Sequence, residues 1–336
     1  MKIKFFISII LLIILLTNCD NKRVVEQSKN TSKSEVEKLE SIKVSHNVEI
    51  KSILDSINNL KNQIHVNINL AEADIFSNLK NSFFDHIIIG SNNINESVIF
   101  FKKLGFSIKE GKVHKNGIRN NFIEFNDNTE IEIIEVNNPT ENFTKEYEKI
   151  ISQNKFGLQF ALRVDEIETL KNNFTVINSN FVELQKGNDY STLSAKGINS
   201  ELPIFFIQFD KLNNSKTNHI NNAKGISSVW FETKDIKKTA RELVDIGFEP
   251  IGNYYIPTFA GKVVEFKNVN FKIVLIESDK YEITGITISV DSKSDLLKII
   301  NENFDKTFLH KIFEKEKSIF LAKVITKSIW LEFVEK

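Results

Sequence analysis

Residues able to do chemistry concentrate in one stretch of this 336-residue chain, from Phe83 to Val136. Asp85 and His86 stand at the head of an apolar run, and Glu130, Glu132 and Glu135 lie on the stretch that closes the segment. Glu130 and Glu132 alternate with Ile131 and Ile133, so a strand here has one apolar face and one face of carboxylates. That second face can line a cavity, or it can be a plain solvated surface. Between the two ends come His114, Gly117, Arg119 and Asn120. An imidazole, a permissive glycine, a guanidinium fork and an amide in one loop could clamp a carboxylate or a phosphate. The plainer reading is a polar hairpin turn in which Gly117 supplies φ > 0. No glycine-rich phosphate loop, nucleophile elbow, HExxH or CxxC occurs anywhere in the chain.

The elements that must position these groups follow a repeating order. After the run from His86 to Gly90, Val98, Phe101 and Leu104 recur at helical spacing and Gly105 stops the helix. Strand-type runs follow at Phe106 to Lys109, Asn121 to Phe125 and Glu130 to Val136. The same strand, helix, strand, strand, strand order returns from Phe156 to Lys211, again from Gly225 to Ile276, and a fourth time from Tyr281 to Val334. One such module leaves a sheet face open, so the modules are expected to pair into two curved eight-stranded bowls, an α+β architecture. The 28 Phe residues fit a β-rich core filled by aromatic and branched side chains. Lys plus Arg and Asp plus Glu number 44 each, leaving no net field to recruit nucleic acid.

The N-terminus has its own pattern. Lys2 and Lys4 precede an apolar run from Phe5 to Leu16, too short for a comfortable membrane span but suited to a secretory signal. Leu16-Thr17-Asn18-Cys19 resembles a bacterial lipobox, with Asn in place of the usual small residue before the cysteine. The resemblance implies cleavage after residue 18, acylation of Cys19 and attachment of an extracytoplasmic protein to a membrane. Because Cys19 is the only cysteine, no disulfide is available to the mature chain. Residues 20–34 read as a solvated tether. Ile50, Ile53, Ile57, Leu60 and Ile64 then form an apolar seam, expected to be a stalk helix that lies on the body or pairs with a second copy.

The βαβββ repeat resembles the vicinal oxygen chelate (VOC) superfamily, and its first pair of modules is similar to the glyoxalase-like domain family. The details that carry this are Asp85-His86, Leu104-Gly105-Phe106, His114 with Gly117-Ile118-Arg119-Asn120, the strand around Glu132, and Leu202 to Phe209. The resemblance implies a divalent ion (Zn, Ni, Mn or Fe) in the bowl, held by the first and last strands of each paired module. Carried onto this sequence, the ligand positions are His86, Glu132, Gln159 and Gln208, a set short of anionic donors. Glu135 and His114 would move protons, and Arg119 and Asn120 would hold the substrate. The second pair has Ser228 at the position of His86 and Val274 at that of Glu132, so no ligand set is expected there. Two readings follow. One is a metal-assisted lyase, isomerase or ring-opening enzyme on a small molecule. The other is a non-catalytic module that binds a small molecule or a partner without metal.

Overall fold

The computed structural model describes residue 79 and residues 82–176, 181–195, 202–211 and 217–336, apart from 258, 260, 270, 310 and 311. The expectations for Cys19, the tether and the stalk helix lie outside the described residues. Among the described residues no helix is long and apolar enough to cross a membrane.

The first module consists of β1 (Phe83–Gly90), α1 (Ile94–Lys103), β2 (Lys109–Val113), β3 (Ile118–Glu124) and β4 (Glu130–Val136). Asn93 starts α1 by accepting from the backbone N–H groups of Asn95 and Glu96, and Lys102 and Lys103 sit where the last turn favours cations. A helix α2 (Asn142–Ser152) leads to the second module: β5 (Gly157–Arg163), α3 (Ile167–Val176), β6 (Phe181–Lys186), β7 (Tyr190–Ala195) and β8 (Ile204–Phe209). Each module orders its strands first, fourth, third, second. The antiparallel pairing of β1 with β5 joins the two into one eight-stranded bowl.

A second bowl repeats the plan. Its third module is β9 (Ala223–Thr233), α4 (Ile236–Asp245), β10 (Glu249–Asn253), β11 (Val263–Lys267) and β12 (Lys272–Glu277). The fourth contains β13 (Glu282–Val290), α5 (Lys293–Asn303), α6 (Lys306–Leu309), β14 (Ile312–Lys315), β15 (Ser318–Leu321), α7 (Lys323–Thr326) and β16 (Trp330–Glu335). β9 and β13 pair antiparallel at its centre. A single bridge, Ile283 to Gly157, links the bowls edge to edge.

The helix-bearing faces of both bowls share one apolar core. Phe84 of β1 stacks on Phe271 of the second bowl at 4.2 Å, and Phe100 of α1 meets Phe304 edge-on at 5.8 Å. Fully burying one such ring is worth about 1.5–3 kcal/mol, so these contacts weld the bowls far more firmly than the one bridge. The connecting segment is pinned as well. Ser107 N–H donates to His219 Nδ1 at 3.1 Å, and His219 Nε2 lies 3.0 Å from the Glu124 carbonyl. Separate apolar clusters occupy the two concave faces.

The modules stand where the periodicity put them, with local shifts. The strand expected at Phe106 to Lys109 is displaced to 109–113, because Phe106 turns into the core between Phe101 and Phe125 directly after the helix stop. In the fourth module β15 ends at Leu321, and the chain turns into the short helix α7 before β16. Helix α2 was not anticipated, and the module order implied β10 and β14 without giving them residue ranges.

Candidate functional site

Strand alternation decides which side chains enter the first bowl. Ile131 and Ile133 join the core on the helix side, so Glu130 and Glu132 face the concave side with Ile134 and Val136. The parallel register of β1 and β4 sets His86 beside Glu130 and Ile88 beside Glu132. His86 Nδ1 is 2.7 Å from Asp85 Oδ1, and Arg163 donates to the other Asp85 oxygen at 3.4 Å. The His86 ring meets Phe205 edge-on at 5.5 Å. Asn120 Nδ2 donates to Glu132 Oε1 at 2.9 Å, and Tyr147 of α2 donates its hydroxyl to Gln159 Oε1 at 2.5 Å.

These neighbours shift the proton affinities. Burial alone would pull the His86 pKa down, but the Asp85 hydrogen bond and the charges of Asp85, Glu132 and Glu130 raise it above the ordinary histidine value. Glu130 is pushed up to about 7, chiefly by burial, with His86 opposing and Glu132, Glu124 and Asp85 adding to the rise. Burial also raises the Tyr147 phenol.

The four expected metal ligands do not form a set. His86, Glu132 and Gln159 share the concave side, but Gln208 does not. It lies on the same face of β8 as the core residues Ile204 and Phe206, and its oxygen accepts from the backbone N–H of Ile167 at 2.9 Å, capping α3. Gln159 and Glu132 each already accept from a neighbour. Among the described residues no group of three or more His, Cys, Asp or Glu side chains is arranged to hold a metal ion. The divalent ion implied by the resemblance therefore does not fit the first bowl as folded.

The expected clamp is divided too. Arg119 and Asn120 point to opposite faces of β3: Arg119 Nη2 donates to Asn95 Oδ1 at 3.0 Å on the helix side, while Asn120 turns inward to Glu132. Glu135 is paired in register with Arg119 and shares that helix side, away from the bowl interior. His114 lies exposed in the β2–β3 turn. Neither proton-transfer candidate reaches His86. Sequence reasoning passed over Tyr147, although Tyr147, Ile150 and Ile151 show the spacing of an apolar helix face.

The second bowl holds a cavity of about 540 Å³. Ser228, Thr287 and Glu332 stand abreast on β9, β13 and β16, since Thr287 is in register with both of the others. Ser228 donates to Thr287 Oγ1 at 2.6 Å, Trp230 Nε1 donates to the same oxygen at 3.0 Å, and Thr287 donates to Glu332 Oε2 at 2.7 Å. Tyr254 donates to that carboxylate oxygen as well, and Ser318 donates to the other at 2.8 Å. Glu332 is only 2 % exposed, and these donors replace the water it has lost. Burial and the adjacent carboxylate push the Tyr254 phenol pKa up. Tyr255 and Phe320 also line the cavity, with Lys315, Lys317 and Lys336, the carboxylate of Glu316, and the Lys272–Glu265 ion pair. One carboxylate and two hydroxyls, all mutually bonded, are a poor cage for a divalent ion.

This architecture can be set beside known proteins. Residues 84–247 match the glyoxalase-like domain family model. The glyoxalase-like match takes in the first bowl and runs through β9 and α4. Solved structures carry the fold further, since they align with 75 % of this chain, a share larger than either bowl. A catechol 2,3-dioxygenase has TM-score 0.54 and 11 % identity over 87 % of its own length. A hypothetical protein from Staphylococcus aureus has TM-score 0.52 and 14 % identity over 99 % of its length. Homoprotocatechuate 2,3-dioxygenase from Brevibacterium fuscum, in complex with 3,4-dihydroxyphenylacetate, has TM-score 0.51 and 10 % identity, covering 75 % of this chain and 80 % of that one. The fold is thus one of tandem βαβββ bowls shared with these structures, and the second pair of modules, expected from its repeat pattern alone, has the same strand order as the first. The comparison with curated proteins gave no match.

Proposed function

We propose that this chain binds a small organic acid in its second bowl and does so without a resident metal ion. The observation that carries this reading is the floor of the 540 Å³ cavity, where Ser228, Thr287 and Glu332 form a satisfied hydrogen-bond relay. A cavity of that volume suits a small molecule. Tyr254 and Tyr255 offer flat surfaces to a ring or conjugated chain, and Lys315, Lys317 and Lys336 attract a carboxylate at the wall. Hydroxyl groups on the ligand would meet the serine and threonine end. Acylation of Cys19, as the lipobox-like stretch suggests, would hold this binding module at a membrane outside the cytoplasm.

Fluorescence titration of the full chain with 3,4-dihydroxyphenylacetate tests the binding, and elemental analysis of the same preparation tests the metal. Saturable quenching that is weakened by Tyr254→Phe and unaffected by His86→Ala, with metal below about a tenth of an equivalent, is the expected result. Absence of saturation, or quenching that Tyr254→Phe leaves unchanged, would count against the second bowl.

The competing reading is a metal-dependent ring-opening enzyme; an extradiol ring-cleaving dioxygenase is among the structural relatives. It is favoured by one observation, the His86, Glu130 and Glu132 side chains on adjacent strands of the first bowl. A full equivalent of bound metal that His86→Ala removes would establish it.

A further inference from the structure

A smaller cavity of about 250 Å³ lies outside both bowls, on the helix side of the first, between α1 and the β2–β3 hairpin. Its wall carries Lys102, Lys112 and Arg119 against a single carboxylate, Glu110. Among the described residues these three cations take part in no ion pair. Arg119 is held by Asn95 through one terminal nitrogen, which fixes the guanidinium plane and leaves its remaining donors available. The floor is rigid because two asparagines pin the irregular stretch of β2: Asn120 Oδ1 accepts from Lys112 N–H at 2.8 Å, and Asn121 Oδ1 from Gly111 N–H at 3.4 Å. Asn121 is only 7 % exposed, yet among the described residues its amide nitrogen donates to nothing, and it lines the cavity. An amide N–H₂ that no protein acceptor takes, open to the cavity beside a fixed guanidinium and two lysines, is a donor set ready for an anion.

We infer that this cavity binds a phosphate-bearing anion, with Arg119 and Asn121 making the directed hydrogen bonds and Lys102 and Lys112 supplying charge. Phosphate suits the site because its several acceptor oxygens can satisfy donors converging from a helix and two strands at once. The exposed Val113 at the rim, 78 % accessible, could rest against an apolar portion of the same molecule. Two sources offer this chemistry, a free phosphate compound and an anionic phospholipid headgroup. The site shares no residue with the second bowl, so its test stands apart from that of the proposed ligand.

Isothermal titration of the full chain in neutral detergent, at an ionic strength held with chloride, uses inorganic phosphate in one arm and dihexanoylphosphatidylglycerol in the other. Saturable binding is expected in at least one arm, weakened about tenfold by Arg119→Gln and by Asn121→Asp, the size of one lost charge-assisted bond. Asn121→Asp keeps the acceptor for Gly111, so its thermal midpoint should match that of the wild type while its binding falls. Binding of phosphate alone assigns a free solute, and binding of the lipid alone assigns a headgroup. No saturable heat in either arm, or affinities that both substitutions leave within about twofold, would overturn the inference.

Discussion

Thr287 donates its hydroxyl proton to Glu332 at 2.7 Å while accepting from Ser228 and Trp230, so one side chain connects three strands of the second bowl. Replacing it by valine keeps the shape but leaves two buried donors without an acceptor and removes one donor from a buried carboxylate. Thr287→Val is expected to cost about 2–4 kcal/mol, whereas Thr287→Ser, which keeps the hydroxyl, should cost about 1 kcal/mol. Urea unfolding of the two variants checks this. A loss for Thr287→Val no greater than that for Thr287→Ser would mean that the relay adds nothing to stability here.

Glu130 carries the opposite lesson, a carboxylate held where its charge is unwelcome. Its folded pKa, about 7, lies above the ordinary 4.5, so between those values the folded chain binds more protons than the unfolded one. Stability from this residue is therefore present at pH 4.5 and is lost as pH rises through 7. Glu130→Gln should unfold about 1–3 kcal/mol later than wild type at pH 8, with the difference vanishing near pH 4.5. Stability curves for the two proteins that run parallel from pH 4.5 to 8 would refute it.

The fold was legible because each module writes its own pattern: apolar runs for the inner strands, helical spacing at Val98, Phe101 and Leu104, and a glycine stop. Side-chain direction was less so. Gln208 and Glu135 sit one position from the inward-facing residues of their strands, and a shift of one residue exchanges the faces. The relay in the second bowl joins residues 59 and 45 positions apart, so neither pairing leaves a local trace in the sequence. A threonine and a serine in the middle of buried apolar strands were the available sign that something polar must answer them.

Two glycines separate a backbone constraint from a side-chain one. A Cβ at Gly157 would fall 2.3 Å from the Ile283 carbonyl oxygen at the bridge between the bowls, whereas at Gly90 it would meet the movable side chain of Ile151 at 2.5 Å. Gly157→Ala should cost more than about 2 kcal/mol and Gly90→Ala about 1 kcal/mol. Denaturant titration ranks them, and a larger loss for Gly90→Ala would show that Ile151 cannot move.

His219 gives the chain an acid-sensitive fastening. Its Nδ1 accepts the Ser107 N–H, so the ring must be neutral there, and burial lowers its pKa below the ordinary 6.5. The unfolded chain then takes up a proton before the folded one does, and stability falls as pH drops below 6.5, by at most about 1.4 kcal/mol per pH unit. His86 and Glu130, whose values are raised, act with the opposite sign. Over pH 5 to 8, His219→Gln should therefore flatten the loss of stability below 6.5, while His86→Gln should act above 6.5, removing the stability that the wild type loses as pH rises through the raised His86 value. Thermal unfolding of the three proteins across that range reads the slopes directly. A His219→Gln slope equal to that of the wild type would mean that protonation of this ring is not what loosens the link between the bowls.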